Sequence, residues 1–184
     1  MIWRIALFVV ASVFLVIISR SSLRHPRSHG FFRFFAWEII AALWLLNIPY
    51  WFRDALAWYQ LISWFLLIAC CVPVIWGAVL LRAHGKPTER RPSDPNLLAF
   101  EKTTQLVTIG IYRYIRHPLY GSLLLLAWGI FFKLPSVVGA ALSLASTLLL
   151  FLTARADEAE CARFFGSEYV AYMRRTRRFI PFVI

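Results

Sequence analysis

The chain has 184 residues, 60% of them hydrophobic and only 16% charged, with a formal net charge of +11. That apolar share lies far above that of an ordinary soluble domain, and the length suits one compact domain rather than several. The basic residues fall in blocks between long apolar runs, so the charge follows membrane topology and implies no nucleic-acid partner. Three cysteines, two of them the neighbours Cys70 and Cys71 within an apolar run, give neither a disulfide framework nor a metal pattern.

A helix needs about 20 apolar residues to cross a bilayer. Segments 3–19, 31–50, 56–81, 119–132 and 136–153 meet or approach that requirement. The first lacks a strongly basic start and a small-residue cleavage site, and so reads as a retained helix rather than a leader. His25 and His29 follow it, four apart but without nearby cysteines, and no metal site is expected. The second span holds Glu38, an acid that is costly in lipid unless paired; Arg33, near the same end, is its expected partner. Pro73 removes a backbone donor in the middle of the third span and predicts a kink there.

The loop 82–118 carries Gly85, Pro87, Pro92, Asp94 and Pro95, a density of turn formers that predicts an irregular connection, with room for a short interfacial helix over 97–107. Spans four and five form a tight hairpin around Lys133-Leu134-Pro135-Ser136. The tail 154–184 opens as a polar helix to about Thr176, which Gly166 is expected to divide. Its aromatic and basic residues predict that it lies on the membrane and closes over the end of the hairpin. With five crossings, the first loop, the third loop and the tail share one side with most of the arginines. Arg4, Arg53 and Lys133 take the other. That asymmetry predicts a cytoplasmic C-terminus. The expected fold is therefore all-α, a single polytopic integral membrane domain over 1–184 with about five transmembrane helices plus a C-terminal interfacial helix.

Two polar clusters flank the hairpin. In Arg116-His117-Pro118-Leu119-Tyr120, Pro118 suits the first turn of a helix, because its missing N–H would have no intrahelical partner there. The helix start then offers free backbone donors beside Arg116 and His117, a setting for a carboxylate or phosphate. Interfacial anchoring by Arg113 and Arg116, with Tyr112, Tyr114 and Tyr120 in an aromatic belt, accounts for the same residues. In the second cluster, Asp157 and Glu158 point in different directions from one helix, so at most one need face the hairpin. Such an acid could hold an ammonium or ribose hydroxyl of a ligand, or simply pair with Arg155, Arg163 or a loop arginine.

Taken in order, the two clusters resemble the isoprenylcysteine carboxyl methyltransferase family of integral-membrane, S-adenosylmethionine-dependent enzymes, which is related to the phospholipid methyltransferases. The matching text is Leu106-Val107-Thr108-x-Gly110-x-Tyr112-Arg113-Tyr114-x-Arg116-His117-Pro118-x-Tyr120. After an apolar hairpin come Asp157-Glu158, then Phe165-Gly166-x-Glu168-Tyr169-x-x-Tyr172 and a closing Arg178-Phe179-Ile180-Pro181. The resemblance covers about residues 76 to 182. It implies that Arg116 and His117 are catalytic, Arg116 orienting a carboxylate acceptor and His117 serving as base for a hydroxyl or amine. It implies cofactor contacts from His117, Tyr120, Glu158, Tyr169 and Tyr172, acceptor contacts from Arg116 and Trp128, and no metal. Aspartate stands at the first acid of the family's Glu-Glu pair, and Ser122 replaces the glycine two places after Tyr120. The implied partners are a lipophilic or lipidated acceptor and the membrane lipids. A sterol-reductase-type enzyme using NADPH and a non-catalytic membrane assembly or transport subunit are the rival readings.

Overall fold

The computed structural model describes residues 2–86 and 103–181. Its helices are α1 (Ile2–Leu23), α2 (His29–Asn47), α3 (Trp58–Ala69), α4 (Cys71–His84), α5 (Pro118–Phe131), α6 (Val137–Phe165) and α7 (Ser167–Arg175), with single 3-10 turns at Ile48–Tyr50 and Gly110–Arg113. Among the described residues, four apolar stretches are long enough to cross a membrane: Ile2–Leu23, His29–Tyr50, Trp58–His84 and Val137–Phe165. The helix starts follow from local chemistry. Ser28 Oγ accepts from Phe31 N and Ser136 Oγ from Gly139 N, each at 3.1 Å, while Pro118 opens α5.

The third span divides at Cys70, between α3 and α4. Pro73 has no N–H to give the carbonyl four residues back, at Ala69, so the expected kink is realised as a break in the ladder. α4 then runs on to His84, past the expected end at 81. The larger departure is at the tail. Segment 154–165 is no separate surface helix but the continuation of α6, which runs for 29 residues, about 44 Å. It carries Asp157 and Glu158 beyond the apolar part of the span. Gly166, at φ 63° and ψ −138°, ends it, and α7 follows after the expected division. Of the expected 97–107 helix, residues 103–107 are not helical and the rest lies outside the described residues.

Close packing comes from small residues, as in membrane interiors generally. Ala36, Tyr120, Leu150 and Ala154 join α2, α5 and α6 at one level; Ile40, Leu43, Ala127 and Ile130 join α2 and α5 at the next. At Gly129 a Cβ would stand 3.0 Å from the Leu67 side chain, and Ser63 Oγ donates to the Gly129 carbonyl at 2.7 Å, so α3 rides directly on α5. α1 packs along α2 and leaves Val9, Val13, Phe14 and Ile17 exposed, a face suited to lipid. Ser12 of α1 donates to Glu38 Oε2 at 2.7 Å, a partner that the sequence did not suggest.

At the end of the bundle opposite His117, Lys133 is fully buried. Its ammonium lies 3.3 Å from the centre of the Trp64 ring and 5.0 Å from Trp51, and donates to Gln60 Oε1 at 3.1 Å. Gln60 Nε2 in turn donates to the carbonyls of Tyr50, Arg53 and Lys133 at 2.8–3.0 Å. The aromatic faces and the amide take the place of water around the cation.

Candidate active site

α5 has only 14 residues, about 21 Å, and falls short of a bilayer's apolar thickness of about 30 Å. Its N-terminus, with His117 and Tyr120, is therefore recessed between longer neighbours. The backbone just before it is stitched to the end of the chain. Arg116 N donates to Arg177 O at 2.7 Å, His117 N to Arg178 O at 3.0 Å and Arg177 N to Tyr114 O at 3.0 Å. These bonds draw α7 across the end of the α5–α6 hairpin, as the sequence suggested.

His117 is buried at the centre, 5% exposed. Its Nδ1 lies 3.5 Å from Asp157 Oδ2 and its Nε2 3.5 Å from Glu158 Oε1. The two acids do diverge from one helix, yet both reach the imidazole, because the ring enters between them. Burial pulls the His117 pKa down, but the hydrogen-bonding and charge of Asp157 and Glu158 outweigh it and hold it above its ordinary value. Tyr120 stacks on the imidazole at 5.4 Å between centroids, and Phe179 approaches it at 6.2 Å.

Glu158 sits in an arginine clamp. Arg116 donates to its Oε1 from Nε at 2.9 Å and Nη2 at 2.8 Å; Arg178 donates from Nε to Oε1 at 3.0 Å and from Nη2 to Oε2 at 2.8 Å. Arg116 also gives Nη1 to the carbonyls of Met173 and Thr176 and to Thr176 Oγ1. One N–H on Nη2 remains beyond these bonds. Asp157 is the acid that lines the adjoining cavity, together with Tyr112, Arg116, His117, Tyr120, Tyr169 and Tyr172. That cavity measures about 100 Å³. Tyr169 and Tyr172 close it from α7, and Tyr172 OH donates to Tyr112 O at 2.7 Å. Burial pushes both phenols up, so they are neutral donors.

Arg116, His117, Tyr120, Glu158, Tyr169 and Tyr172 thus converge at one end of the hairpin. Trp128 does not join them. It lies two turns further along α5, donating from Nε1 to Thr147 Oγ1 at 3.2 Å, in an apolar groove of about 550 Å³ lined also by Leu66, Gly121, Phe132, Phe151 and Phe179. The groove reaches the site through Phe179, which lines it and faces His117. Sequence reading missed Asp157 as the cavity's acid, and it missed Arg178 and Thr176, whose roles arise from the returning tail. It also missed Glu160, which accepts from His29 N at 3.0 Å and meets His29 Nδ1 at 2.5 Å, pinning α2 to α6. Asp157 brings a third potential ligand atom near that pair, all within 4.8 Å.

The site's residues offer partners to a cationic, hydroxyl-bearing ligand. His117 Nε2 is buried with the Glu158 carboxylate 3.5 Å away, Asp157 offers a carboxylate to an ammonium or ribose hydroxyl, and tyrosine rings offer faces to a cation. Residues 97–168 match the family model described as phospholipid methyltransferase. The chain is also 30% identical, over 124 residues, to proteins of Oryza sativa subsp. indica and subsp. japonica named probable protein-S-isoprenylcysteine O-methyltransferase. The alignment covers 65% of this chain and 63% of each relative. No solved structure matches significantly.

Proposed function

We propose that this chain, isoprenylcysteine carboxyl methyltransferase-like over about two thirds of its length, transfers methyl groups within the membrane from S-adenosylmethionine to the carboxylate of an isoprenylated acceptor. The observation that carries the proposal is the junction at Phe179. There a buried polar cavity of charged and phenolic groups meets an apolar groove along α5. Transfer of a group from a polar cofactor to a lipidated acceptor needs both in one place.

When bound, S-adenosylmethionine supplies an electrophilic methyl on a sulfonium. His117, Tyr120, Asp157, Tyr169 and Tyr172 would hold it, with Glu158 acting on it through His117 and the arginine clamp. The cavity of about 100 Å³ is smaller than the roughly 300 Å³ or more of a small-molecule site. Entry therefore requires α7 to move outward, hinging at Gly166. The acceptor carboxylate is already ionised and needs orientation rather than a base. Arg116, with one Nη2 N–H still available, supplies that orientation by a charge-assisted bond. The cofactor would supply its methyl to a carboxylate oxygen and leave as a neutral thioether, giving a methyl ester, so no side chain here would have to move a proton. Alignment and exclusion of water provide the acceleration. The prenyl chain lies along Trp128, Phe151 and Leu66, entering sideways from the bilayer. The sorting of basic residues supports a cytoplasmic site and C-terminus.

The test is transfer of labelled methyl from S-adenosylmethionine to S-prenylated cysteine by the detergent-purified chain. Methyl ester formation on the prenylated compound and none on its unprenylated counterpart is expected. Equal labelling of both would remove the groove from the account.

A further inference from the structure

Most of the charge around the candidate site is compensated. Glu158 takes Arg116 and Arg178, and Glu160 takes His29. On the outer side of the same junction the balance is different. Arg113, from the 3-10 turn before α5, faces Arg174 and Arg175 of α7 and Arg177 of the returning tail across one hollow of about 200 Å³, with Tyr114 completing the wall. All four arginines are exposed. Among the described residues, none of the four forms a salt bridge to a carboxylate. A second hollow shares Arg113 and Arg175 and extends the basin past Thr108 and Gly110.

Four guanidiniums held around one opening with no acid in its wall among the described residues repel one another and favour an anion that can take several N–H donors at once. The surroundings choose between sources of that anion. Ile109, Tyr114 and Val170 are 45%, 47% and 39% exposed, and Val170 stands one turn before Arg174 on α7. A basin of arginine rimmed by uncovered apolar and phenolic side chains matches the boundary between headgroups and acyl chains rather than open water. We propose that this hollow binds the phosphate headgroup of an anionic phospholipid, which bridges the turn before α5 to α7 and the tail. The same three pieces meet around Tyr172, whose hydroxyl bonds to the Tyr112 carbonyl, so a bound headgroup holds α7 down against the bundle.

The experiment needs no methyl transfer and is independent of the proposed activity. The full chain is placed in phosphatidylcholine nanodiscs, with or without phosphatidylglycerol, and its thermal unfolding is followed. Lipid retained by the protein in each sample is counted by native mass spectrometry. Phosphatidylglycerol is expected to raise the melting temperature and to be retained. Each arginine removed should weaken retention about fivefold, so R113Q/R177Q should lower it by more than tenfold while leaving the phosphatidylcholine sample folded. R24Q/R27Q, in a different basic loop, should change it little. Equal loss in both double variants would reduce the effect to diffuse charge and overturn the site. An equal gain from inorganic phosphate in phosphatidylcholine discs would make it a soluble-anion site and overturn the lipid assignment. No effect of phosphatidylglycerol would overturn it outright.

Discussion

Arg178 grips Glu158 through both carboxylate oxygens, Nε to Oε1 at 3.0 Å and Nη2 to Oε2 at 2.8 Å, and so fastens the end of the described chain to α6. The Glu158 side chain is only 9% exposed and serves two guanidiniums. Glu158→Gln leaves both cations without their counter-charge and should cost about 3 kcal/mol of stability. A thermal melt in detergent checks this, and Arg178→Gln, which leaves Glu158 paired with Arg116, should show the smaller loss.

Gly166 sets the angle between α6 and the α7 lid. At φ 63° and ψ −138° it occupies a region nearly closed to other residues, although a Cβ there would meet nothing within 4 Å. The penalty of Gly166→Ala is therefore backbone strain alone, about 2 kcal/mol. We expect a lower melting temperature and a weaker adenosyl ligand, because relief of the strain turns Tyr169 and Tyr172 away from the cavity.

His117 predicts a pH dependence. Burial lowers its pKa, but Asp157 and Glu158 outweigh that and raise it above the ordinary value of 6.5. A raised folded-state pKa contributes stability that is fully present below the unfolded value and is lost as pH rises through the folded one. Melting temperature should therefore fall on the alkaline side of 6.5, and His117→Gln should flatten that part of the profile. A profile unchanged by the substitution would mean that the imidazole is neutral in the folded chain.

Gln60 and Lys133 are buried together far from the site, and Gln60→Leu should separate stability from function. It takes the amide oxygen from a buried ammonium and the amide donor from the carbonyls of Arg53 and Lys133, while the Tyr50 carbonyl keeps Arg53 N. The cost should reach at least about 3 kcal/mol, read as a lower melting temperature, while the affinity of the surviving folded fraction for the cofactor stays the same.

Trp128 belongs to the groove and not to the cavity. Trp128→Ala should raise KM for a prenylated acceptor about tenfold, through loss of a large apolar contact, and leave cofactor affinity unchanged. A parallel loss of cofactor affinity would show that the groove and cavity are not separate compartments.

Much of this was legible in the chain itself. Apolar length located the spans, Pro118 located the start of α5, and Gly166 located the division between α6 and α7, because each acts through backbone rules that need no tertiary partner. What the sequence could not supply was direction across space. Asp157 and Glu158 diverge on a helical wheel, and only the insertion of His117 between them makes both relevant. Arg178 and Thr176 became part of the site because the tail returns to pair with residues 114–117, a contact made across about sixty residues. The continuity of α6 into the tail was hidden for a different reason. Hydropathy marks where the lipid ends, and a helix can continue past that point.

The cavity between α5, α6 and α7 is the proposed seat of the adenosyl cofactor. Its most direct test is calorimetric titration of the detergent-purified chain with S-adenosylmethionine, S-adenosylhomocysteine and NADPH, alongside Asp157→Asn. Both adenosyl ligands should bind at micromolar concentrations, the variant should lose them and NADPH should give no heat. Binding of NADPH alone, or adenosyl binding that the variant retains in full, would contradict it.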